Sequence, residues 1–531
     1  MKNNDTHTTT TPPHSFIAHH QKDVTGILHG WDRLFFQASF RSLCYTEGLL
    51  SYLWAANVLL KDFKDFALSF SKRIKASAQA AADEWNRPYI YLPSSKQNKE
   101  KMIENIALQD GISNGLIAVL SAVEPCNTFH VKGNRHTHKL EPVYKPGKCL
   151  HHYHYYQHPE FGRLHVRVQN WFPFTVHICM NGRQWLACQM RQAGINFTQR
   201  DNTFSWVEDV GAAQDLLDSQ NLIDWPTELG KLVNAAHPVA KEIATGSHLD
   251  YYYSCLQSEL ASDVMFKNRS TLEELYPSLI YHGLTTFRSP DILRFLGKKV
   301  PKNGGVGNYQ GEITSDIKVR EEGLRLKHRA KGNSVKLYDK GSVLRAETTV
   351  TQPGEFKVYR AKDGEPDGEK DWRPMRKGVA DMSRRAEVSH KANERYLEAM
   401  ASVEKSIPMG KAVKEICAPR IKKKRRHRAL NPLAKEDAEL LEAINRGEWT
   451  INGFRNRDLR ELLYGEEKDG AKRKKQSAKI TRKLALLRGH GLIRKIPRTH
   501  RYQIAEKKRG LLTQLNVLQN ADTKQLANVA A

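Results

Sequence analysis

The sequence predicts a multidomain α+β protein, and three features of the chain lead to that prediction. Strand-like and helical stretches alternate up to about residue 125, which indicates an N-terminal α/β domain over residues 21–125. Short runs rich in Tyr, His, Val and Phe then indicate a central region of antiparallel sheet mixed with helices, over residues 126–300. A basic segment over residues 433–512 shows the pattern of three helices and a β-hairpin, which predicts a separate C-terminal domain.

The N-terminal region begins with a polar, Thr-rich stretch over residues 1–20, which predicts a disordered leader. The α/β domain after it is expected to contain a strand interrupted near Gly30, a long helix, a short strand, a second helix and a buried strand. These elements are predicted at residues 24–40, 49–85, 89–92, 99–110 and 116–123. The last strand is assigned from its continuous apolar run, which is typical of a strand buried on both faces.

The central region is predicted to change from strands to helices at the Asn181-Gly182 turn. One of the helices expected there covers Ser254–Phe266. Residues 301–410 are predicted to form a β-hairpin region and a charged helix, with strands at 325–329, 334–338 and 342–350 and the helix at 380–404. A basic linker over residues 411–432 is expected to stay extended in the absence of nucleic acid, and residues 513–531 are expected to be a tail.

The charge of the chain is strongly basic and unevenly distributed. There are 84 Lys and Arg against 58 Asp and Glu, which gives a formal net charge of +26. Residues 411–510 alone carry about +18 of this charge. A concentrated basic segment is typical of proteins that bind nucleic acid through its phosphates, so DNA is the favoured partner and RNA is the alternative.

The C-terminal domain is predicted to contain a basic third helix over about residues 475–488. Three apolar residues share one face of this helix at i, i+4 and i+7: Ile480, Leu484 and Leu487. The opposite face carries the predicted nucleic-acid-binding residues Lys475, Lys479 and Arg482. Three arginines on the following hairpin are expected to neutralise phosphates: Arg494, Arg498 and Arg501.

This order of helices and hairpin resembles the winged-helix domains of bacterial regulators such as the MarR type, a winged helix-turn-helix fold. The resemblance covers residues 433–512 and implies that the third helix enters the major groove of DNA. Two alternatives remain, a winged helix that contacts protein and a basic helix that is only a solvated face. The agreement of helix phase, hairpin arginines and regional charge favours contact with DNA.

Three other places in the chain contain residue types that carry chemistry. The first is His151-His152-Tyr153-His154, where His152 and His154 point to the same face of a strand. This His-hydrophobe-His pair resembles the metal-binding motif of the HUH nicking endonucleases and relaxases, which implies Mg²⁺ or Mn²⁺ held by His152 and His154. That family also uses a nucleophilic tyrosine on a helix, for which Tyr252 is the candidate. The alternative is a sheet face on which His and Tyr stack nucleic-acid bases.

The second place is a set of carboxylates from different elements. It consists of Asp32 in the first strand, Glu124 at the end of a buried strand, and Glu259 and Asp263 one turn apart on the predicted helix. Carboxylates gathered in this way resemble the two-metal sites of RNase H-like nucleases and transposases. The order of elements differs from that fold, because a long helix follows the first strand. The alternative is that these residues are helix N-caps and paired charges.

The third place is a predicted hairpin that turns at Lys340-Gly341. Its Tyr338-Asp339-Lys340 followed by Arg345-Ala346-Glu347 resembles the Tyr-Asp-Lys and Arg-x-Glu of some rolling-circle replication initiators of plasmids and filamentous phages. The resemblance implies phosphate contacts by Lys336, Lys340 and Arg345 and a catalytic carboxylate at Glu347. A salt-bridged structural hairpin is the alternative.

Stretches along most of the chain resemble a broad family of uncharacterised bacterial proteins. Examples are Glu124-Pro-Cys, Lys148-Cys-Leu-His and Trp171-Phe-Pro-Phe. This resemblance implies a bacterial origin and no particular activity.

Several classes of protein are disfavoured by the sequence. No secretory signal or apolar stretch long enough to cross a bilayer is visible, which predicts a cytoplasmic, nucleoid-associated protein without a membrane partner. The seven cysteines include no Cys-x-x-Cys pair, so they are predicted to be reduced thiols rather than zinc ligands. The Gly304-Gly305-Val306-Gly307 loop lacks the Gly-Lys-Ser/Thr of a P-loop, which argues against an NTP-driven machine. The sequence does not determine the oligomeric state.

Two hypotheses from different classes remain. In the first, the chain belongs to a bacterial mobile element, finds DNA with its winged helix and nicks or cleaves it with Mg²⁺ or Mn²⁺. In the second, it binds without catalysis or cofactor, as a transcription regulator or an RNA-binding ribonucleoprotein component.

Overall fold

A computed structural model describes residues 15–245, 249–301, 305–320, 323–365, 367–401, 403, 413–414, 416–422, 425–497, 499–505 and 508–520. Of the residues that it describes, 42% are in helices and 32% in strands, so neither type dominates, and the expected mixture of α and β structure is confirmed. The chain divides into two compact units. Unit 1 comprises Met1–Gly26, Asp263–Glu347 and Lys391–Ala531, and unit 2 comprises Ile27–Ser262 and Thr348–His390.

The strands of the described residues are numbered in chain order. They are β1 Val24–Phe40, β2 Tyr89–Leu92, β3 Gly115–Gly133, β4 Leu140–His158, β5 Gly162–Gln169, β6 Val176–Asn181, β7 Phe197–Arg200, β8 Thr203–Val207, β9 Tyr251–Phe266, β10 Ile313–Arg320, β11 Gly323–Ala330, β12 Asn333–Asp339, β13 Val343–Val350, β14 Lys357–Arg360, β15 Asp371–Pro374, β16 Arg420–Lys422, β17 Arg425–His427, β18 Ile493–Lys495 and β19 Tyr502–Ile504.

The α-helices are numbered in the same way. They are α1 Ser15–His19, α2 Thr46–Ala55, α3 Phe63–Glu84, α4 Lys99–Gln109, α5 Gly182–Gln192, α6 Val210–Ser219, α7 Trp225–Ala236, α8 Ala240–Ala244, α9 Arg269–Thr285, α10 Ser289–Phe295, α11 Met382–Met400, α12 Lys435–Ile444, α13 Trp449–Asn452, α14 Asn456–Tyr464, α15 Gly470–Gly489 and α16 Arg509–Asn520. Within the described ranges, no helix combines the length and the apolar character needed to cross a membrane.

Unit 2 is built on a sheet with the strand order β9-β1-β6-β5-β4-β3-β2. The pairs from β1 to β3 are antiparallel, whereas β2 and β3 are parallel, so the sheet is mixed. Helix α3 packs on one face through Ala78 and Ala82, and α4 packs on the other face through Ile103 and Ala107. Because helices cover both faces, side chains on both sides of β3 are buried, which explains its continuous apolar run.

Successive side chains of β4 therefore meet different surroundings. Tyr153 and Tyr155 lie in the cluster with α4, whereas Tyr156 packs in the cluster with α3. By the two-residue alternation of a strand, Cys149 and His151 share the face of Tyr153, and His152 and His154 share the opposite face. We call the first of these faces, defined by Cys149, His151 and Tyr153, the α4 face.

Several predicted boundaries in unit 2 are wrong. The boundary near Pro125 falls inside β3, which stays paired with β4 from Gly115 to Gly133, so residues 21–125 are not a separate domain. The predicted interruption near Gly30 is absent from the continuous strand β1. The helix predicted over Ser254–Phe266 is strand β9. Most successive residues of β9 are buried, so its sequence does not alternate between apolar and polar residues. Without that alternation, the sequence does not distinguish a buried strand from a buried helix.

Unit 1 contains the strands β10-β11-β12-β13 in that order and the C-terminal helices. The three predicted strands of this hairpin region are confirmed as β11, β12 and β13. Helix α9 is joined to two of them, because the Tyr276 hydroxyl donates to the carbonyls of Leu324 at 2.6 Å and Leu337 at 3.1 Å. The C-terminal part has its own core, formed by residues from α12, α14, α15, α16 and the β18–β19 hairpin.

Three predictions of irregular chain in unit 1 need correction. Residues 1–14 of the predicted leader lie outside the described residues, but Ser15–His19 forms α1 with Phe16 buried. The segment predicted to be an extended basic linker contains the strands β16 and β17, which pair with each other. The predicted tail begins within α16, whose Leu515 is buried in the C-terminal core. In each case a few apolar side chains or a strand pair order a segment whose composition is mostly polar.

Candidate functional sites

Helix α15 has the amphipathic phase that the sequence predicts. Asp469 caps its N-terminus by accepting hydrogen bonds from the backbone amides of Ala471 and Lys472. The apolar seam is confirmed, because Ile480, Leu484 and Leu487 are all buried in the C-terminal core. The helix therefore has one face fixed to the core and one face turned outward.

The outward face of α15 is basic. Lys475, Lys479 and Arg482 are exposed as predicted, and none of the three forms an ion pair with another described residue. The helix contains eight Lys and Arg and no acidic residue. We call the surface of these three residues the basic face of α15. Uncompensated positive charge on a rigid helix creates a strong local potential for anions.

Helix α14 holds α15 in a defined orientation. The Asn456 amide donates to the Ser477 carbonyl at 3.0 Å and to the Thr481 hydroxyl at 2.9 Å. The Ser477 hydroxyl donates in return to the Asn456 side-chain oxygen Oδ1 at 3.0 Å. These reciprocal bonds fix the rotation of α15 about its axis, which determines where its basic face points.

The arginines of the β18–β19 hairpin have different surroundings. Arg494 is exposed, whereas the Arg501 guanidinium donates to the Gly453 carbonyl at 3.3 Å, which gives Arg501 a structural role. Arg498 lies outside the described residues. Lys495, which was not among the predicted contacts, is exposed next to Arg494. Its strand has only three residues, which is too short for an alternation of side chains to predict this exposure.

The structure does not support the predicted metal role of His152. Its two ring nitrogens lie 3.4 Å from the Tyr89 hydroxyl and 3.1 Å from the Asn170 amide, and the side chain is fully buried. Burial, with the nearby His154 and His151, lowers the pKa of His152 to about 3. His154 is equally buried, and burial lowers its pKa to about 4. Both histidines therefore lie in the core as neutral side chains.

Tyr252 does not lie on a helix as predicted, because it belongs to β9. Its ring is partly exposed, and the Arg41 guanidinium lies 4.5 Å from the ring centre. This cation–π contact is a structural role for the ring.

Two predicted carboxylates come together in unit 2. Asp32 and Glu259 are buried, and each places a carboxylate oxygen within 4.8 Å of the other. Asp32 accepts a hydrogen bond from the Asn202 amide, and Glu259 accepts one from Gln257 at 3.1 Å. Glu259 and Asp263 lie on a strand, so the predicted spacing of one helical turn is wrong.

Glu124 lies apart from this pair, on the α4 face. It bonds Lys99 at 2.8 Å, Arg167 at 3.2 Å and the Tyr153 hydroxyl at 2.5 Å. Burial alone raises the pKa of Glu124, but the hydrogen bonds from Lys99 and Tyr153 and the charge of Arg167 lower it below its usual value. A carboxylate with three such partners is already satisfied, which supports the paired-charge alternative.

The residues of the predicted rolling-circle hairpin are mostly internal. Lys336 bonds Glu347 at 2.6 Å, and Arg345 bonds Asp263 at 2.7 and 2.9 Å, with all four side chains buried. The prediction that Lys336 and Arg345 contact phosphates is therefore wrong, because Glu347 and Asp263 neutralise their charges inside the protein. Lys340 is partly exposed in the turn. The salt-bridged hairpin that the sequence left as the alternative is the observed arrangement.

A cluster of two thiols and an imidazole lies on the α4 face and was missed from the sequence. The Cys126 and Cys149 sulfurs are 3.2 Å apart, and Cys149 Sγ lies 4.0 Å from both His151 ring nitrogens. The hydrogen bond from Cys149 lowers the pKa of Cys126 against the effect of burial, and the charge of Arg167 lowers it further. The bond to Cys126 and burial raise the pKa of Cys149. Only the pairing register of β3 and β4 brings these residues together.

Comparison with known proteins gave no further assignment, because no protein-family model, curated protein or solved structure matches the chain.

Proposed function

We propose that this chain is a DNA-binding protein that contacts the major groove with helix α15 and the adjacent phosphates with the β18–β19 hairpin. The observation that carries the proposal is the basic face of α15, which is exposed, free of ion pairs among the described residues, and opposite a buried apolar seam. The arrangement fits the winged-helix resemblance over residues 433–512. In that fold the third helix supplies base contacts and the hairpin supplies phosphate contacts.

The test compares duplex DNA binding by the full-length protein and by the variant Lys479→Ala/Arg482→Ala over a range of salt concentrations. Each positive charge removed from the DNA interface lowers the magnitude of the slope of log K against log salt by up to about 0.9, so the two substitutions are expected to lower it by up to about 1.8. The thermal midpoint is expected to stay unchanged, because both side chains are exposed.

The control variant Lys61→Ala/Lys64→Ala removes the same charge from exposed positions in unit 2. It is expected to retain the wild-type slope. Equal binding by the wild type and the α15 variant would contradict the proposal. Tighter binding to RNA than to duplex DNA of the same length would favour the RNA-binding alternative instead.

Metal-dependent cleavage is the second candidate function, and it is favoured by one observation, the pair of buried carboxylates Asp32 and Glu259. Carboxylate oxygens are the ligands that Mg²⁺ and Mn²⁺ prefer, and such ions activate phosphates for attack. DNA binding combined with cleavage would suit a protein of a mobile element.

Cleavage is tested on supercoiled plasmid with Mg²⁺ or Mn²⁺. The variant Glu259→Gln keeps the shape of the side chain and is expected to abolish cleavage while DNA binding persists. The variant Glu228→Gln, on the surface helix α7, is the matched control and is expected to cleave normally. Cleavage at the wild-type rate by Glu259→Gln would exclude this carboxylate pair.

A further inference from the structure

Cys126 and Cys149 are brought together by the geometry of the β3–β4 ladder. Cys126 pairs with Gly147, and Cys149 pairs with Glu124, so the two cysteines are diagonal neighbours on the same face. In this twisted ladder, residues on this diagonal approach each other closely. A Cβ placed on Gly147 would likewise approach Thr128, which lies two residues beyond Cys126, the pairing partner of Gly147. The 3.2 Å between the sulfurs is thus a result of backbone register.

The surroundings of the two thiols differ. The Cys149 thiol lies within hydrogen-bonding distance of Cys126, and the Arg167 charge also acts on Cys126. Both interactions stabilise a thiolate at Cys126, and a thiolate is the reactive form of cysteine. Cys126 and Cys149 are each partly exposed, which leaves them accessible to a small reagent.

The hydrogen bonds of His151 argue against a metal ion in this cluster. His151 Nδ1 lies 3.1 Å from the Cys149 carbonyl, which only accepts, so this nitrogen carries the proton. The other nitrogen, Nε2, then accepts from the Arg167 guanidinium at 3.0 Å. The single lone pair that a metal needs is occupied, and a cation already lies beside it.

We infer that Cys126 and Cys149 form an oxidation site at which hydrogen peroxide converts the two thiols into an intramolecular disulfide. The Cys126 thiolate attacks the peroxide O–O bond and becomes a sulfenic acid, and hydroxide leaves and takes up a proton to become water. The Cys149 sulfur then attacks the Cys126 sulfur, the S–S bond forms, and the sulfenic oxygen leaves as a second water. Two thiols lose two electrons and two protons, and one peroxide is reduced to two waters.

Little movement is needed for this reaction. A disulfide requires a sulfur–sulfur distance of about 2.05 Å, so the two sulfurs approach by about 1 Å through rotation of their side chains. The site does not depend on the proposed DNA-binding function, because β3 and β4 belong to unit 2 and α15 belongs to unit 1.

The experiment treats the reduced full-length protein with hydrogen peroxide, alkylates the remaining thiols at timed intervals and maps the peptides by mass spectrometry. Two of the seven thiols are expected to disappear first, as one linked Cys126–Cys149 peptide pair. Their loss is expected to be at least about tenfold faster than that of Cys44, a half-buried thiol whose pKa is raised by burial. This measurement on the wild type needs no variant to fold.

Three variants separate the steps. In Cys149→Ser, Cys126 is expected to stop at the sulfenic acid and to be labelled by dimedone. In Cys126→Ser, Cys149 is expected to react at the slow rate of Cys44, and Cys44→Ser is expected to retain the disulfide. A different pairing, equal oxidation rates at all cysteines, or thiols protected by a bound zinc ion would each overturn the inference.

Discussion

Arg345 and Asp263 form a bidentate ion pair in unit 1, with hydrogen bonds of 2.7 and 2.9 Å and with only 2% and 1% of their side chains exposed. Arg345 lies on β13, and Asp263 lies on β9, 82 residues earlier in the chain. In this deeply buried pair the guanidinium and the carboxylate neutralise each other's charge, which offsets the cost of taking both out of water. The planar fork of arginine fits both carboxylate oxygens at once.

Removing one partner of this pair is expected to be much more harmful than removing both. The single variants Arg345→Met and Asp263→Leu each break this buried ion pair and leave one of its two charges in place, and each is expected to lower the free energy of unfolding by about 3–5 kcal/mol. The double variant is expected to be close to the wild type in stability. Denaturant unfolding of the four proteins in a double-mutant cycle measures the coupling.

The conservative variant Arg345→Lys is the control for geometry. It keeps the charge but loses the bidentate fork, so an intermediate loss of stability is expected. Additive effects of the two single substitutions would show that the pair is not coupled and would contradict this account.

The sequence predicted most accurately what depends on neighbouring residues. The phase of α15 follows from Ile480, Leu484 and Leu487, which are close in sequence and share one helix face, and the structure confirms their burial. The β11, β12 and β13 strands likewise follow from local patterns. Basic residues such as Lys479 could be assigned to the surface because they lie opposite an apolar seam.

Long-range pairing explains what the sequence did not predict. Arg345 was expected to contact phosphate, but every residue of β13 is buried, and Arg345 pairs with a residue far along the chain. The contact of Cys126 with Cys149 likewise depends on a register that no local pattern specifies. A buried charge such as that of Arg345 is paired because burial without a partner is costly, yet the sequence does not identify the partner.

His237 is expected to make the stability of unit 2 depend on pH. The side chain is 1% exposed, neither ring nitrogen has a hydrogen-bond partner among the described residues, and burial lowers its pKa to about 3. Because the folded pKa lies below the unfolded value of about 6.5, the unfolded chain takes up a proton first as the pH falls. The contribution of neutral His237 to the free energy of unfolding is fully present above pH 6.5. Below that pH it falls by about 1.4 kcal/mol per pH unit as the pH approaches 3.

The variant His237→Leu is expected to reduce this pH dependence. It removes the proton uptake without breaking a hydrogen bond, so its unfolding free energy is expected to fall less steeply between pH 6.5 and 4. The variant His152→Leu is the contrasting case, because it leaves Tyr89 and Asn170 without their partner and is expected to be destabilised at every pH. Urea unfolding at a series of pH values distinguishes the two. Identical slopes for the wild type and His237→Leu would contradict the assignment.

The two hairpin arginines Arg494 and Arg501 are expected to respond differently to substitution. Arg494 is exposed, so Arg494→Ala is expected to lower the salt slope of DNA binding by about 0.9 without changing the thermal midpoint. Arg501 bonds the Gly453 carbonyl, next to the point where Phe454 exchanges backbone hydrogen bonds with Tyr502. Arg501→Ala is therefore expected to cost about 0.5–1.5 kcal/mol of stability. Binding titrations at several salt concentrations and thermal unfolding of both variants check the contrast, and a stability loss confined to Arg494→Ala would reverse it.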